Sequence, residues 1–491
     1  MRKPIAPLLL VLALCLAVCA LARAAALATD DSTWMTVLLD GRKIGYVHIR
    51  YQRDGDFVTT TQTLSIQFRR NGKDIPLSSM TRSVESATGQ PLAFSARTTL
   101  SATDSTVAGQ RQADGSFMVT TTVGGMSRQQ ALDWPGGAVL SEGQRLALVR
   151  ANSHPGQRYE LRMFDPASLR VARASMEVIG TEPVALPGGT ATLVHQRQRL
   201  SSQRETQVVD LWLDERGQTR KGTLKLLGRE MEMLACNQAC ALAPVQPTDM
   251  FRAALVNSPR AIRGALATSF LRYRLHVPEG EPSPAIDTDE QHVVTLGHGD
   301  WLVDIGAPRA GGEPPPRAED SLPNAWLQSD TPLIRRLAGQ AVGAAPDNLQ
   351  KMQRLRRFVS DYVSPHGLDV GYASALEVAT QRQGDCTEYA VLLAALARAQ
   401  GIPARVVTGM VYSDRYAGRS HVFLPHAWVQ AWVNGRWQSF DAARQGFDST
   451  HLALDMGDGD PWHFFNATNL FGRLRIDDIR STGQPASRAV P

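Results

Sequence analysis

The chain has 491 residues, 43% hydrophobic and 20% charged. That is too long for one core, so two or three domains are expected, and the balance excludes bulk disorder. The net charge of +5 says little about partners: Arg2, Lys3 and Arg23 supply three of those charges with no acid before Asp30, and no Lys/Arg cluster of the kind that binds nucleic acid occurs.

Arg2 and Lys3 precede an apolar run from Leu8 to Ala22, then Ala22-Arg23-Ala24 and Ala26-Leu27-Ala28. A basic start, a short apolar core and small residues at a cleavage point read as a secretory signal over residues 1–28. The run falls short of the ~20 residues of a membrane span, which makes an uncleaved anchor the second choice. Cys19 would suit lipidation, but Val18 before it fits that signal poorly. The expected location is secreted or periplasmic. Membrane association is expected only through an uncleaved or lipidated signal.

Residues 29–245 read as strand after strand. Trp34–Leu39, Lys43–Gln52, Phe57–Phe68, Phe117–Val123, Thr190–Gln196 and Gln207–Leu213 alternate or are rich in β formers. Asp40-Gly41, Asp54-Gly55, Asn71-Gly72, Asp114-Gly115, Gly188-Gly189 and Arg216-Gly217 punctuate them as turns. The pattern predicts a large antiparallel β-rich domain, as a sandwich or an open barrel-like wrap. His48, His154 and His195 are isolated and read as surface or packing residues.

Five cysteines are present, of which Cys15 and Cys19 lie in the signal. Cys236 and Cys240 are close enough to form a disulfide in an exported protein. A metal pair is the alternative, but no second Cys or His pair sits at ligand spacing, and no metal or cofactor is expected. Cys386 is then the one thiol left over.

Residues 246–325 read as a connector with strands of its own at Phe270–Val277, His292–Leu296 and Trp301–Ile305. Pro278–Pro284 and Gly311–Pro316 are Pro/Gly-rich and read as exposed linkers. The catalytic-type domain, 326–480, opens with two helices. One covers Thr331–Val342; the other starts at Asn348 with Leu349, Met352, Leu355, Val359 and Tyr362 on one stripe. Leu368–Thr380 leads to Gly384-Asp385-Cys386-Thr387-Glu388.

Asp385 and Glu388 form a capping box, which makes Cys386 the first residue of a helix running to Gln400. The helix is apolar nearly all round, so it is expected to be buried. Gly401 is its C′ residue and Pro403 stops it. A thiolate at Cys386 would gain from the helix N-terminus, while Asp385 and Glu388 oppose it.

Arg405–Tyr412 reads as a strand and His426–Val433 as a second, alternating one. Asn434-Gly435 is a two-residue hairpin turn. Pairing Val433 with Arg436 and Trp432 with Trp437 places Trp428 opposite Asp441. His426 and Asp441 are then diagonal neighbours on one face, which a one-residue slip would abolish. The carboxylate can fix the imidazole tautomer, and the imidazole can take a thiol proton. His421 is a rival base without that relation to Asp441. Trp428, Trp432 and Trp437 read as core or cleft-wall packing. Asp455 to Asp460 is acidic but not an EF-hand loop, so it reads as a solvated turn. The tail 481–491 is small and polar and reads as disordered.

Gly-Asp-Cys-Thr-Glu-Tyr-Ala, Gly-Ile-Pro-Ala-Arg-Val-Val-Thr-Gly, His-Ala-Trp-Val and Trp-Gln-Ser-Phe-Asp together resemble the transglutaminase-like core of bacterial proteins, a branch of the papain-like superfamily. The resemblance spans roughly residues 330 to 450. It implies an α+β fold, a papain-like transglutaminase core preceded by the β-rich domain. It also implies that Cys386 is the nucleophile, His426 the general base and Asp441 the orienting acid. The Cys386 N–H would be one oxyanion donor, and Tyr372, Gln381 and Gln383 are open as a second.

Two functions follow as expectations. One is an exported thiol enzyme acting on amide or peptide bonds of a protein or peptide substrate, more as peptidase or amidase than as cross-linker. The other is a non-catalytic envelope binding or assembly protein, in which the β-rich domain meets an envelope partner and the thiol domain is a scaffold.

Overall fold

The computed structural model describes residues 30–70, 73–100, 103–150, 154–201, 206–215, 217–226, 228–246, 249, 254–262, 264, 270–278, 283–306, 312–365, 372–444, 446–461 and 470–481. The expected signal with Cys15 and Cys19, the turn at Asn71-Gly72, Arg216, residues 279–282, Gly311, Leu368 and the tail beyond Ser481 lie outside them. The chain divides into two compact units, Met1–Met250 and Phe251–Pro491.

The first unit is one sheet. Its strands are β1 (Asp30–Leu39), β2 (Arg42–Asp54), β3 (Phe57–Arg70), β4 (Lys73–Ser86), β5 (Pro91–Leu100), β6 (Thr103–Arg111), β7 (Phe117–Val123) and β8 (Met126–Leu132). Then come β9 (Ala138–Val139), helix α1 (Ser141–Arg150), β10 (Arg158–Asp165), β11 (Arg170–Leu186), β12 (Gly189–Ser201), β13 (Thr206–Leu213), β14 (Thr219–Leu226), β15 (Arg229–Cys236) and the short helix α2 (Gln238–Leu242). The fifteen strands run in the order β8 back to β1, then β15 back to β9. The sandwich alternative would need two stacked sheets; one continuous meander, joined where β1 pairs with β15, replaces it. Tight turns explain the meander. Asp40 and Gly41 both have positive φ, as a type I′ turn requires, and Gly124-Gly125 repeats this between β7 and β8. The signal at Asp54-Gly55 is displaced by one residue, because Asp54 pairs with Phe57 and the loop is Gly55-Asp56.

The sheet curls. Phe94 and Phe117, from β5 and β7, meet Phe164 of β10 in one aromatic cluster, with Trp134 packed 4.7 Å from Phe117 and 4.6 Å from Phe164. A polar belt lies buried beside this core: Gln62, Ser83, Glu85, Gln144, Asp165 and Gln198. Glu85 accepts the backbone N–H groups of Glu142 (2.7 Å) and Gly143 (2.9 Å) at the start of α1, so a strand side chain supplies the cap that this helix lacks in its own sequence. Burial pushes the Glu85 carboxyl up to about 7. His48 stacks on Trp34, and His195 bonds Asp210 and stacks on Trp212.

The disulfide expected between Cys236 and Cys240 is not formed in this structure; both are free cysteines whose side chains share a hydrogen bond. Burial, then that bond, push the Cys236 thiol up to about 12.

The second unit contains β16 (Val256–Asn257), β17 (Leu271–His276), β18 (Gln291–Gly297), β19 (Asp300–Ile305), α3 (Pro332–Val342), α4 (Asn348–Tyr362), β20 (Ser364–Pro365), α5 (Ala375–Gln381), β21 (Gln383–Gly384) and α6 (Cys386–Ala399). It ends with β22 (Ala404–Tyr416), β23 (Arg419–Val433), β24 (Arg436–Phe440), β25 (His451–Gly457) and β26 (Arg475–Ser481). One sheet runs β16-β23-β22-β25, with β24 also paired to β23; another runs β18-β19-β17-β26. Helix α6 packs on β22 and β23 and is surrounded by α3, α4 and α5.

The segment expected to be a connector is therefore built into this unit. Its strands share a sheet with β26, the last strand among the described residues. Its polar side chains also secure the other sheet: Asp289 accepts the Trp437 N–H (2.7 Å), Glu290 that of Ser439 (2.9 Å), and Gln291 exchanges two bonds with the Ala453 backbone. Within residues 312–316, Glu313 pairs with the buried Arg405, so that part of the expected linker is also tied into this unit.

Val391, Leu392, Leu393 and Leu396 on α6 are fully buried. Each large apolar side chain buried this way stabilises the fold by about 1.5–3 kcal/mol. Leu393→Ala is expected to cost about 2–5 kcal/mol, read as a lower urea midpoint with an unchanged circular dichroism spectrum in buffer.

Candidate active site

Helix α6 starts as the capping box requires. Asp385 is the N-cap and accepts the Thr387 N–H (3.1 Å), while Glu388 accepts the Asp385 N–H (2.9 Å). Cys386 occupies the first helical position, half-buried. At the other end, Gly401 has φ 73 and the Ile402 N–H reaches Ala397 O at 3.0 Å, which closes the helix with a left-handed glycine.

Glu388 has a second task. Its other oxygen accepts the Ala373 N–H (3.0 Å) and ties the segment before α5 to the start of α6. Burial, then the neighbouring Asp385, hold its carboxyl well above the usual range. That favours the neutral form of one of the two carboxyls the sequence sets against a Cys386 thiolate.

The tie brings Tyr372 in. Its ring is buried edge-on to Trp326, its hydroxyl is held well above the ordinary phenol range by burial first, and the charge of Cys386 is among the groups that act on it. Gln381 is exposed at the end of α5, and Gln383 is half-buried in the short β20–β21 pair. Of the three side chains expected as a second oxyanion donor, Tyr372 is buried, Gln383 half-buried and Gln381 exposed.

The hairpin register is as the alternation requires. Val433 pairs with Arg436, Trp432 with Trp437 and Val429 with Phe440, around a turn in which Asn434 (φ 54) and Gly435 (φ 73) are both left-handed. His426 and Asp441 meet: His426 Nε2 lies 2.7 Å from Asp441 Oδ2. Because Nε2 faces a carboxylate it carries the proton, and Nδ1 is left as the basic nitrogen. The rival His421 sits elsewhere, with Nδ1 2.7 Å from the Tyr412 hydroxyl. Trp428 and Trp437 are buried, and the Arg405 guanidinium lies 4.0 Å over the Trp437 ring.

Asp441 is 1% exposed and has more partners than the hairpin alone would give it. Oδ1 accepts the N–H groups of Ala443 (2.8 Å) and Arg444 (3.2 Å). Oδ2 is shared by His426 and a second imidazole, Nε2 of His451 at 3.0 Å. Burial would raise the Asp441 carboxyl, but the two histidines outweigh it and hold it well below the usual carboxylate range. Burial lowers His426, with His451 and Arg444 adding to that against the pull of Asp441. At His451 burial is outweighed by Asp441 and Asp448, which lift it to about 9. These directions favour a neutral His426, an ionised Asp441 and a protonated His451.

Sequence reasoning missed His451. It opens β25, which pairs with the edge of β22 opposite β23, and nothing local in Asp448-Ser449-Thr450-His451 reports that pairing. The donor atoms of His426, Asp441 and His451 lie within 4.8 Å of one another, close enough for one cation, yet hydrogen bonds already link both rings to the carboxylate. A second such group, His276, Asp300 and Asp477, is more exposed, and its Asp300 is paired with Arg274 and His276. Asp455 belongs to β25 instead of a solvated turn and is buried.

Residues 335–442 match the transglutaminase-like superfamily, and that stretch of the chain is a transglutaminase-like core. It holds Cys386, His426 and Asp441 and stops short of His451. An uncharacterized protein of Mycobacterium leprae (strain TN) is 35% identical over 86 residues, which are 17% of this chain and 30% of that protein. The chain therefore spans under a third of that relative's length. Among solved structures, a Cytophaga hutchinsonii protein provisionally named a cysteine protease aligns with 43% of this chain and 87% of its own, at 18% identity and TM-score 0.28. A β-barrel-like domain of unknown function from Brucella abortus aligns with 42% of this chain and 95% of its own, at 11% identity and TM-score 0.34. At such scores neither likeness carries functional information.

Gly409 sits between His426 on β23 and Ala453 on β25, beside a bulge. A Cβ there would collide with the Leu452 carbonyl and crowd the Trp428 ring. Gly409→Ala is expected to destabilise the second unit by about 1–3 kcal/mol and to slow alkylation of Cys386 as β25 moves His451 off Asp441. Thermal melts and iodoacetamide kinetics on the same preparation check both.

Proposed function

We propose that the chain is an exported thiol enzyme that cleaves amide or peptide bonds through an acyl-enzyme on Cys386. The observation that carries this reading is the 2.7 Å contact between His426 Nε2 and Asp441, which leaves Nδ1 basic on the strand against which the cysteine helix packs. Export rests on the basic and apolar pattern of residues 1–28.

The chemistry follows from the roles. His426 Nδ1 takes the Cys386 proton as the sulfur attacks a carboxamide carbon. The oxyanion meets the Cys386 N–H at the head of α6, with the Tyr372 hydroxyl as the side-chain donor. The C–N bond breaks as His426 returns the proton to the leaving amine. Water, deprotonated by His426, then attacks the thioester and frees the acid and the thiol. Hydrolysis is favoured over cross-linking because transfer requires an amine site that shuts out water. The substrate class is a protein or peptide.

Iodoacetamide is expected to label Cys386 on the order of tenfold faster at pH 7 than a model thiol, and Cys386→Ala to abolish the label. Equal rates would remove the enzyme reading. Mass spectrometry of an acylated Cys386 after incubation with periplasmic extract would identify the substrate by its adduct.

The size of the fifteen-stranded sheet favours a second reading, an envelope binding protein in which the thiol domain is a scaffold. It predicts that a Cys386→Ser allele complements a deletion while removal of residues 29–245 does not. The enzyme reading predicts that the serine allele fails.

A further inference from the structure

Three residues account for a thiol, a base and an orienting acid, but not for the second imidazole on that acid. His451 is 1% exposed, and both of its nitrogens face acceptors. Nε2 is 3.0 Å from Asp441 Oδ2, and Nδ1 is 3.1 Å from both the carboxylate and the backbone carbonyl of Asp448. One competing donor, the Asp448 N–H, lies further off at 3.3 Å. Two carboxylates bracket the ring and favour a proton on both of its nitrogens. Aromatic side chains enclose it: Trp428 edge-on at 5.3 Å and Phe447 at 5.1 Å. The charged or titratable groups around it are Asp441, Asp448 and His426, with Arg444 acting on His426.

We infer that His451 is a positioning residue of this site, a buried cation that pins Asp441 Oδ2 in the plane of His426 and makes the Cys386–His426 pair release its protons at lower pH. The inference rests on the thiol-enzyme reading above. It goes beyond the matched transglutaminase-like stretch, which ends at residue 442.

The electrostatic sign does not depend on which microstate of the pair dominates. A fixed positive charge disfavours a proton on the sulfur and on the imidazole alike, so both apparent pKa values of the coupled pair fall. Removing the charge raises both. The hydrogen bond acts separately: it stops Asp441 from turning Oδ2 away from His426, and so keeps the imidazole tautomer with Nδ1 basic.

The two parts separate by substitution. His451→Gln keeps an N–H donor for Asp441 and removes the charge. His451→Phe removes both. Iodoacetamide alkylation of Cys386 in the full chain, followed from pH 4 to 10, is expected to move to higher pH by about one unit in His451→Gln with its plateau rate kept. In His451→Phe the plateau should also fall, several-fold. A wild-type rate equal to that of a model thiol would overturn the thiol reading itself. A fast wild-type rate with a His451→Gln profile that superimposes on it would overturn this inference alone, leaving His451 a packing residue. If His451→Gln does not fold, ¹⁵N-histidine NMR of the unsubstituted protein decides: the His451 ring is expected to keep both protons to about pH 9, and loss of one near its ordinary value of about 6.5 would overturn the inference.

Discussion

A single carboxylate bears the load of the second unit. Asp441 is almost wholly removed from water, where an unpaired anion would cost several kcal/mol. It remains ionised because two backbone N–H groups meet one oxygen and two imidazoles meet the other. Hydrogen bonds to a charged group contribute about 1.5–3 kcal/mol each, so the set can offset the burial and a single missing partner would leave the anion exposed to its cost. The four donors come from β23, β25 and the turn after β24, and those elements must be in register together.

Much of the unit serves that register. The left-handed pair Asn434-Gly435 aligns β24 with β23. Asp289 and Glu290, from the polar turn before β18, occupy N–H groups along β24. Arg405 lies over Trp437, bonds Gln430 and pairs with Glu313, which locks the far end of the hairpin. Burial lifts the Glu290 carboxyl to about 7 against the lowering effect of its hydrogen bonds to Ser439. The cysteine helix contributes differently. Its buried faces are almost all apolar, so its place is set by packing, and in its polar first turn Asp385, Thr387 and Glu388 arrange the segment around Cys386.

The first unit solves another problem. A meander of fifteen strands exposes long edges unless it curls, and the contact of Phe94 and Phe117 with Phe164 and Trp134 fastens its two halves. The polar belt of Gln62, Glu85, Gln144 and Gln198 shares the interior with that cluster. Glu85 spends its carboxylate on the head of α1.

Local features were legible in the chain because their causes are local. The capping box at Asp385, the apolar helix behind Cys386, the left-handed Gly401, the turn at Asn434-Gly435 and hence the pairing of Trp432 with Trp437 each follow from a few adjacent residues. His426 and Asp441 could be placed together for the same reason, since one tight turn separates their strands. Turn signals that name a pair of residues were less exact, as the one-residue displacement at Gly55-Asp56 shows. What the amino acids by themselves could not decide is which distant segments close on those features. That β18 and β19 share a sheet with β26, that Glu313 belongs to Arg405, and that His451 completes Asp441 all depend on non-local pairing, in which one strand edge can accept many partners and burial selects among them. Local spacing put Cys386 at the head of a helix and His426 beside Asp441; only tertiary packing could add the second imidazole, because its partner lies across a sheet and not along a chain.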